Sequence, residues 1–387
     1  MFLQYPHKKS ETEIYNQIID SEFVAQNNIA SPNKLIFGEN LLVLKNLIEK
    51  QNLAGKIDLV YIDPPFATNN TFTFSDERTS TISNSKNDKI AYADKLQGTD
   101  FLEFLRERLV LLKMLLSEQG SIYLHIDYKI GHYVKIIMDE IFGIENFKND
   151  ITRIKCNPKN FARKGYGNMK DMILFYSKTD KLIWNEPKTP YTEDNKIKLF
   201  PKLDKNGRRY TTIPLHAPSE TKNGKTSQTF KGILPPKGRH WRTNVETLEQ
   251  WDNEGLIEWS ENGNPRKKIY LDEQEGKRVQ DIWEMKDPQY PMYPTEKNAD
   301  LLDLIIKTSS NSNSYVLDCF CGSGTTLKSA QNLGRNWIGI DQSEQAIKVS
   351  SEKLNTISSN IFTQKPIYEV IKCEAQTNKN SLNPIIN

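Results

Sequence analysis

The sequence of 387 residues has little of what indicates a metal centre, a disulfide framework or a membrane segment. Its cysteines show no paired C-x-x-C spacing, so we expect neither zinc nor disulfides. No run of about 18 apolar residues is present, which argues against a transmembrane helix. The N-terminal stretch MFLQYPHKKSETEIY lacks the apolar core of a secretory signal. We therefore predict a cytoplasmic protein without metal or membrane contacts.

The chain also lacks a strong charge of one sign, since its formal net charge is only +3. Bulk charge alone therefore does not indicate a nucleic-acid partner. The distribution of charge is more informative, because basic residues interleaved with aromatic residues and turn formers concentrate in KLDKNGRRY (202–210), KGRHWR (237–242) and GNPRKKIY (263–270). This pattern is typical of surfaces that neutralise phosphates and stack on bases. A solvated basic face is the alternative.

Short apolar runs alternate with amphipathic segments from about residue 34 to 176, which is typical of strands and helices around a parallel sheet. The predicted strands are Lys34–Phe37, Ile57–Ile62, Ser121–Ile126, Ile151–Lys155 and Met172–Tyr176. The predicted helices are Leu41–Glu49, Phe101–Leu116 and His132–Ile141. After about residue 290 the alternation resumes, with strands in YVLDCF and NWIGID and helices in DLLDLIIKTSS, TTLKSAQNLG and SEQAIKVSSEKL.

Three regions interrupt this alternation. Residues 67–100 are polar and predict a long, mobile loop that a partner would order. Residues 181–290 are rich in Pro, Gly, Lys, Trp and Tyr and predict an inserted domain of another kind. The tail 357–387 offers little pattern and is expected to fray. The resulting division is an extension (1–33), a first half (34–180), the insertion (181–290), a second half (291–356) and the tail.

The segment VLDCFCGSGTT (316–326) predicts a strand that enters a glycine-rich turn and then a helix. Gly322 and Gly324 allow a tight turn and a close approach of a ligand. Leu327 occupies the position at which a dinucleotide fingerprint needs a third glycine. Asp341 ends the next strand, where such folds place the acceptor for ribose hydroxyls. A nucleoside ligand such as S-adenosylmethionine therefore fits better than NAD, and a plain turn is the alternative.

The tetrapeptide Asp63-Pro64-Pro65-Phe66 follows the strand Ile57–Ile62, at the end of a parallel strand where ligands bind. Its prolines hold an extended backbone and lack N–H donors, so the segment presents carboxylate and carbonyl oxygens. Phe66 adds a flat surface for stacking. The pattern favours a rigid clamp of acceptors, and a packed proline-rich strand end is the alternative.

Together, the tetrapeptide and the turn Phe320-Cys321-Gly322-Ser323-Gly324 resemble the two hallmark motifs of DNA amino-methyltransferases. These motifs are [DNS]-P-P-[YFW] for catalysis and F-x-G-x-G for S-adenosylmethionine. The order, with the tetrapeptide first, is similar to the beta class. The segments FGENLLVLKNL, GSIYLHID, GRHWR and YPTEK also look like adenine-specific type III modification subunits and their type II relatives. The resemblance covers residues from about 34 to 355.

The resemblance implies an α/β fold, namely a circularly permuted Rossmann-like methyltransferase sheet with helices on both faces and an inserted target-recognition domain. In this sheet the strand at 315–318 would lie beside the strand at 57–62. The implied reaction is site-specific methyl transfer from S-adenosylmethionine to N6 of a flipped-out adenine in double-stranded DNA, in a bacterial restriction–modification system. A second copy of the chain and a restriction subunit are the further partners that the resemblance allows.

The resemblance also assigns residues. Catalysis is assigned to Asp63, Pro64, Pro65 and Phe66. The implied cofactor contacts are Phe320, Cys321, Gly322, Gly324, Thr325 and Thr326 at the methionine end, Thr295 and Lys297 near its carboxylate, Asp341 at the ribose, and Glu39 or Asn40 near the adenine. His125 and Asp127 look like a catalytic pair but are expected to be structural, and Trp241 and Arg242 are open between domain packing and DNA contact.

Three other activities are weighed against adenine methylation. N4-cytosine methylation is the nearest, although those enzymes usually carry serine at the position of Asp63. Protein-glutamine methylation leaves the basic insertion without a role. A catalytically silent DNA-binding specificity subunit conflicts with two intact motifs.

Overall fold

The computed structural model describes residues 2–64, 71–74, 89–93, 98–158, 162, 164–288, 296–357 and 365–376. The helices are α1 (Glu11–Gln17), α2 (Asn40–Glu49), α3 (Gly98–Leu115), α4 (Tyr128–Phe142), α5 (Glu193–Leu199), α6 (Val245–Asn253), α7 (Ala299–Ser309), α8 (Thr325–Asn332) and α9 (Glu344–Asn355). The strands from β1 to β10 are β1 (Ser21–Ala25), β2 (Lys34–Phe37), β3 (Ile57–Ile62), β4 (Thr71–Phe74), β5 (Lys89–Ala93), β6 (Leu116–Ile126), β7 (Phe147–Ile154), β8 (Lys170–Ser177), β9 (Lys188–Thr189) and β10 (Lys202–Leu203). The remaining strands are β11 (Arg209–Pro214), β12 (His216–Pro218), β13 (Arg239–Trp241), β14 (Ile257–Trp259), β15 (Pro265–Tyr270), β16 (Lys277–Arg278), β17 (Ile282–Glu284), β18 (Tyr315–Asp318), β19 (Asn336–Asp341) and β20 (Glu369–Ala375).

Within the described part of the chain, ten strands form one sheet in the order β1-β20-β2-β19-β18-β3-β6-β8-β7-β17. Neighbours from β20 to β6 are parallel, whereas β8 is antiparallel to both β6 and β7. Strand β18 pairs directly with β3, and Leu317 lies opposite Val60. The predicted permuted sheet is therefore confirmed, and the carboxyl ends of β3 and β18 meet at one edge.

Helices cover both faces of this sheet, as predicted. Helix α3 contacts α1, α2 and α4, while α8 contacts α7 and α9. Side chains of a strand alternate between faces, and β19 shows this clearly. Ile338 and Ile340 join the main hydrophobic core with α2 and α3. Gly339 faces α8, where an added Cβ would come within 2.4 Å of Leu327.

Two sequence predictions differ from the structure. The region predicted as a loop, 67–100, contains β4 and β5, which pair as an antiparallel hairpin, and α3 already begins at Gly98. The tail does not fray at 369–375, because β20 inserts between β1 and β2. Ile371 and Cys373 of β20 are buried. The pairing partners of β20 lie near the opposite end of the chain, so a local sequence window could not reveal them.

The chain divides into two compact units, one of Met1–Pro187 with Gln280–Asn387 and the other of Lys188–Val279. The second unit has its own antiparallel sheet in the order β10-β11-β15-β14. Its core includes Phe230, Leu248 and the fully buried Trp241, whose indole N–H donates to the Gln228 carbonyl at 2.9 Å. Trp241 therefore packs this unit.

Among the described helices, none is both long and apolar enough to cross a membrane. In the same part of the chain, no cluster of three or more His, Cys, Asp or Glu side chains is arranged to hold a metal ion. The cytoplasmic location and the independence from metal stay predictions.

Candidate active site

Asp63 follows directly after the buried strand β3 and has two oxygens in different surroundings. Its Oδ2 forms an ion pair with Lys297 Nζ at 2.9 Å. Its Oδ1 is buried and makes no hydrogen bond with any described residue. The next residue, Pro64, is buried and has no N–H to offer. One carboxylate oxygen thus remains as an acceptor, while Pro65, Phe66 and Thr295 lie outside the described residues.

His125 lies beside Asp63 because β6 pairs with β3. Its imidazole is fully buried, with Nδ1 3.0 Å from the Tyr61 hydroxyl and 3.9 Å from Asp63 Oδ1. Its Nε2 lies 3.2 Å from Asp171 Oδ2. Asp127 instead begins α4, where its side chain accepts from the Lys129 N–H at 2.9 Å. The apparent pair His125 and Asp127 therefore separates into a residue of the site and a helix cap.

Asp171 connects His125 to two cations, the partly exposed Lys155 and the buried Arg153. Lys155 Nζ lies 2.6 Å from its Oδ1, and Arg153 Nη1 lies 3.6 Å from its Oδ2. Burial alone would raise the pKa of Asp171, but hydrogen bonds from His125 and Lys155 lower it well below its usual range. Burial, and then the charge of Lys297, lower the pKa of His125 below its ordinary value. Asp171 is thus ionised and His125 neutral near pH 7.

The glycine turn between β18 and α8 is held from within by Asp318. Its Oδ1 accepts from the Phe320 N–H at 3.0 Å, and its Oδ2 accepts from the Thr326 hydroxyl at 2.6 Å. Burial raises the pKa of Asp318 to about 7, and the charges of Asp63 and Asp341 contribute. Sequence reasoning missed Asp318, although a carboxylate at the last strand position before the turn was a usable signal.

Asp341 holds the same turn from the neighbouring strand. Its Oδ2 accepts from the Gly322 N–H and its Oδ1 from the Ser343 N–H, both at 2.9 Å. A carboxylate oxygen can accept more than one hydrogen bond. Asp341 therefore fixes the ends of β18 and β19 and keeps acceptor capacity for a ligand.

Gly324 is required for packing as well as for the turn. Its φ of 73° is unfavourable for other residues. An added Cβ would come within 2.7 Å of Ser350 Oγ and 2.9 Å of Ser350 Cβ in α9. The sequence analysis explains this glycine by the close approach of a ligand. The structure adds a second reason, because α9 packs directly against Gly324.

Lys353 is a second residue that sequence reasoning missed. Its ammonium group is buried and donates to Glu296 Oε1 at 2.5 Å and to Ser323 Oγ and Thr325 Oγ1 at 3.0 Å. Burial lowers the pKa of Lys353, and the Glu296 carboxylate opposes this. Lys353 thus ties α9 and the segment before α7 to the turn. No motif indicated it, because its partners are distant in sequence.

Glu39 and Asn40 support the turn from the other side. Asn40 Nδ2 donates to the Cys319 carbonyl at 3.1 Å, and its Oδ1 accepts from Arg108 Nε at 2.7 Å. Glu39 Oε1 accepts from Arg108 Nη2 at 2.5 Å.

Phe320 packs on Phe104 of α3 with 6.2 Å between ring centres. Cys321 is buried, and burial raises the pKa of its thiol.

An acceptor carboxylate at the end of β3 and a carboxylate-held glycine turn at the end of the neighbouring parallel strand β18 are the arrangement expected of an S-adenosylmethionine-dependent methyltransferase. A family model described as DNA methylase matches residues 57–352, and the chain belongs to this family. It is 38% identical over 358 residues to the type II methyltransferase M.EcaI of Enterobacter cloacae, covering 89% of this chain and 76% of the relative.

A longer relative and two solved structures are also similar. The chain is 26% identical over 359 residues to the type III restriction-modification enzyme StyLTI Mod subunit of Salmonella typhimurium, covering 84% of this chain and 53% of that relative's length. The PvuII cytosine-N4-specific DNA methyltransferase is 13% identical with a TM-score of 0.48, over 87% of this chain and 92% of that chain. The M1.HpyAVI–SAM complex is 18% identical with a TM-score of 0.44, over 83% and 99%.

The methyl donor of this family is S-adenosylmethionine, and the residues at the sheet edge fit it. Asp63 and Asp341 lie close enough to Asp318 for their charges to help raise its pKa. Such an edge suits a cofactor that carries a positive sulfonium group. Asp341 keeps acceptor capacity for hydroxyl groups, and the partly exposed Phe320 offers an aromatic surface beside the turn.

Proposed function

We propose that this DNA methylase transfers the methyl group of S-adenosylmethionine to N6 of adenine in double-stranded DNA, as the modification enzyme of a restriction–modification system. The observation that carries the proposal is Asp63 Oδ1, which lies at the edge shared with the glycine turn and is buried without a hydrogen bond from any described residue. An aspartate at the first tetrapeptide position supports adenine over cytosine. The relatives' names support the modification role.

Asp63 and Pro64 activate the target amine by positioning. The N6 lone pair is delocalised into the adenine ring, so the amine is a poor nucleophile. Hydrogen bonds from N6 to Asp63 Oδ1 and to the Pro64 carbonyl would localise that lone pair, while Phe66 stacks on the base. The bound cofactor supplies a methyl group on positively charged sulfur. Orientation and electrostatic placement then supply the catalysis.

Asp63 is also proposed to accept the proton that N6 releases during methyl transfer. As N6 forms its bond to the methyl carbon, the carbon–sulfur bond breaks and N6 must release one proton. Asp63 Oδ1 is the acceptor placed to receive it, since Oδ2 is paired with Lys297. The base must leave the duplex to reach such a pocket, so base flipping is part of the proposal.

The cofactor contacts are proposed at the glycine turn. Asp341 would accept the ribose hydroxyls, and Glu39 or Asn40 would approach the cofactor adenine. Lys297 is proposed to act on Asp63, because the two groups are ion-paired at 2.9 Å. The methionine end would lie among Phe320, Cys321, Gly322, Gly324, Thr325 and Thr326, with Thr295 near its carboxylate.

Target recognition is proposed for the unit Lys188–Val279. Its segment 210–245 contains six Lys and Arg residues but one carboxylate, Glu220. Arg239 Nη1 lies 3.1 Å from His216 Nδ1, and Arg242 Nε donates to the Pro214 carbonyl at 3.1 Å. Together with Arg266, they form what we call the arginine cluster. No described carboxylate pairs with the cluster, which suits contact with phosphates.

Nucleoside analysis tests the function. Purified protein is incubated with methyl-labelled S-adenosylmethionine and double-stranded DNA, and the DNA is digested to nucleosides. We expect the label in the deoxynucleoside of N6-methyladenine. Label in N4-methylcytosine would overturn the adenine assignment, and unlabelled DNA would overturn the activity.

A homodimer and a restriction subunit are proposed as partners, and the mass of the purified complex in solution tests both.

A further inference from the structure

The buried hydrogen bonds around His125 determine where its proton lies. Asp171 is ionised and can only accept, so the imidazole must donate to it through Nε2–H. Burial and the charge of Lys297 keep the ring neutral by lowering its pKa. A neutral imidazole has one N–H, so Nδ1 carries a lone pair and no proton.

Tyr61 completes this arrangement. Its hydroxyl lies 3.0 Å from Nδ1 and must therefore be the donor. Burial, and then the charge of Asp63, raise the pKa of Tyr61 well above its ordinary value, so the hydroxyl keeps its proton. The hydrogen bonds run in one direction, from Tyr61 through His125 to Asp171.

This direction leaves Asp63 Oδ1 facing a nitrogen that has nothing to donate. The two atoms are 3.9 Å apart, and Oδ1 is buried without a hydrogen bond from any described residue. A buried acceptor without a donor is costly, and the cost is relieved when an N–H group arrives. In the protonated ring, Nδ1–H would itself donate to Asp63 Oδ1, and this oxygen would no longer be available to an incoming N–H group.

We propose that Tyr61, His125 and Asp171 are positioning residues that hold the imidazole in the Nε2–H form and thereby reserve Asp63 Oδ1 for the amino group of the target base. This rests on the proposed amine methylation. The charged and titratable groups around the ring come from several elements. They are Tyr61 and Asp63 at β3, Arg153 and Lys155 at β7, Asp171 on β8, Asp287 after β17, Lys297 before α7, and Asp318 on β18 beside Tyr61.

Tyr61→Phe tests the proposal through the pH dependence of kcat/KM for DNA. The variant removes the donor to Nδ1, so the imidazole takes a proton more readily and its pKa rises. Activity should then be near wild type at pH 8.5 and should fall about tenfold further than wild type on the acid side. An unchanged acid limb, or an equal loss at every pH, would overturn the proposal.

Tyr123→Phe is the matched control. Tyr123 is also buried, on β6, but its hydroxyl bonds to Ser309 Oγ at 2.8 Å. It should therefore keep the wild-type pH profile. If it shifts the acid limb as Tyr61→Phe does, the effect is not due to His125 and the proposal fails.

Nitrogen-15 NMR of the histidines tests the proton arrangement without DNA or turnover. The chain has five histidines, so assignment through His125→Gln is practical. We expect one resonance pair of a neutral Nε2–H ring that takes up a proton only at a lower pH than an ordinary histidine does. An Nδ1–H ring, or titration at an ordinary pKa, would overturn the inference even if adenine methylation is observed. Failure of methylation with the expected NMR result would count against the proposed function instead.

Discussion

Asp63 shows how two oxygens of one carboxylate can have different tasks. The ion pair with Lys297 fixes Oδ2, while Oδ1 remains an acceptor in a buried position. Electrostatic interactions in such surroundings are stronger than in water. The same chemical group at the opposite end of β3, Asp58, accepts from the Ser117 hydroxyl at 2.8 Å and is partly exposed.

Asp63→Ala should strongly reduce methyl transfer and should weaken S-adenosylmethionine binding far less. Removal of one preorganised group at a reacting centre costs on the order of 100- to 1,000-fold in kcat. Steady-state transfer of labelled methyl groups measures the loss, and calorimetry measures affinity for S-adenosylmethionine. Asp58→Ala is the control and should retain transfer. Substantial transfer by Asp63→Ala would show that another group holds the amine.

Sequence motifs indicate the candidate residues whose signals are local and miss those whose partners are distant. Asp63 and the glycine turn could be recognised because each motif occupies a few consecutive positions. Lys353 could not, since Glu296, Ser323 and Thr325 approach it from other segments. His125 stands out within LHID, but its partners are identified only by the position of β6 between β3 and β8.

At the scale of elements, the start of α8 is set by contact with α9. Gly324 and Gly334 flank the helix and have similar φ angles of 73° and 71°. An added Cβ at Gly324 would meet Ser350, whereas at Gly334 it would meet nothing within 4 Å. The two positions thus separate backbone strain from steric overlap.

Gly334→Ala should cost about 1–2 kcal/mol of unfolding free energy from its backbone conformation alone. Gly324→Ala should cost clearly more, because the overlap with α9 adds to the same strain. Denaturant unfolding of both variants measures the difference. Equal losses would mean that α8 and α9 can separate without cost.

Lys353 should couple this helix pair to the cofactor. Lys353→Met removes the ion pair between the buried Lys353 ammonium group and Glu296, and breaking a buried ion pair costs about 3–5 kcal/mol. We expect lower thermal stability and an S-adenosylmethionine affinity at least about tenfold weaker, because Ser323 and Thr325 lose their common donor. Lys348→Met, at an exposed position of the same helix, should change neither. Wild-type cofactor affinity in a folded Lys353→Met protein would contradict the role.

Element bounds were predictable where a strand is a short buried run between polar residues. The bounds of β2 and β3 agree with the sequence prediction for this reason. Strand β20 could not be predicted, because its stabilisation comes from pairing with β1 and β2. An ion pair between Lys34 of β2 and Glu369 of β20 adds to that contact. The local sequence pattern predicts which residues are buried, but it does not predict which distant segments pair with each other.

At the scale of the whole molecule, the distribution of charge matters more than its sum. Although the net charge is only +3, the unit Lys188–Val279 contains both an arginine that forms ion pairs with carboxylates and the arginine cluster, which pairs with none of the described carboxylates. Arg208 forms ion pairs with Asp272 at 2.7 Å and with Glu273 at 2.8 Å. In the arginine cluster, Arg266 bonds only to Thr212 among the described residues, through its hydroxyl and its carbonyl at 2.8 Å.

Replacing the arginine cluster, Arg239, Arg242 and Arg266, by glutamine should weaken binding to all DNA sequences alike. Each lost phosphate contact should reduce the slope of log affinity against log salt by about 0.9. Fluorescence anisotropy over a range of salt concentrations measures this, and circular dichroism checks that the unit is folded. Arg208→Gln, at an arginine already neutralised, should keep the wild-type slope. If the triple variant keeps that slope while wild type binds DNA, the phosphates are contacted by other cations. If wild type itself does not bind DNA, the proposed function is wrong.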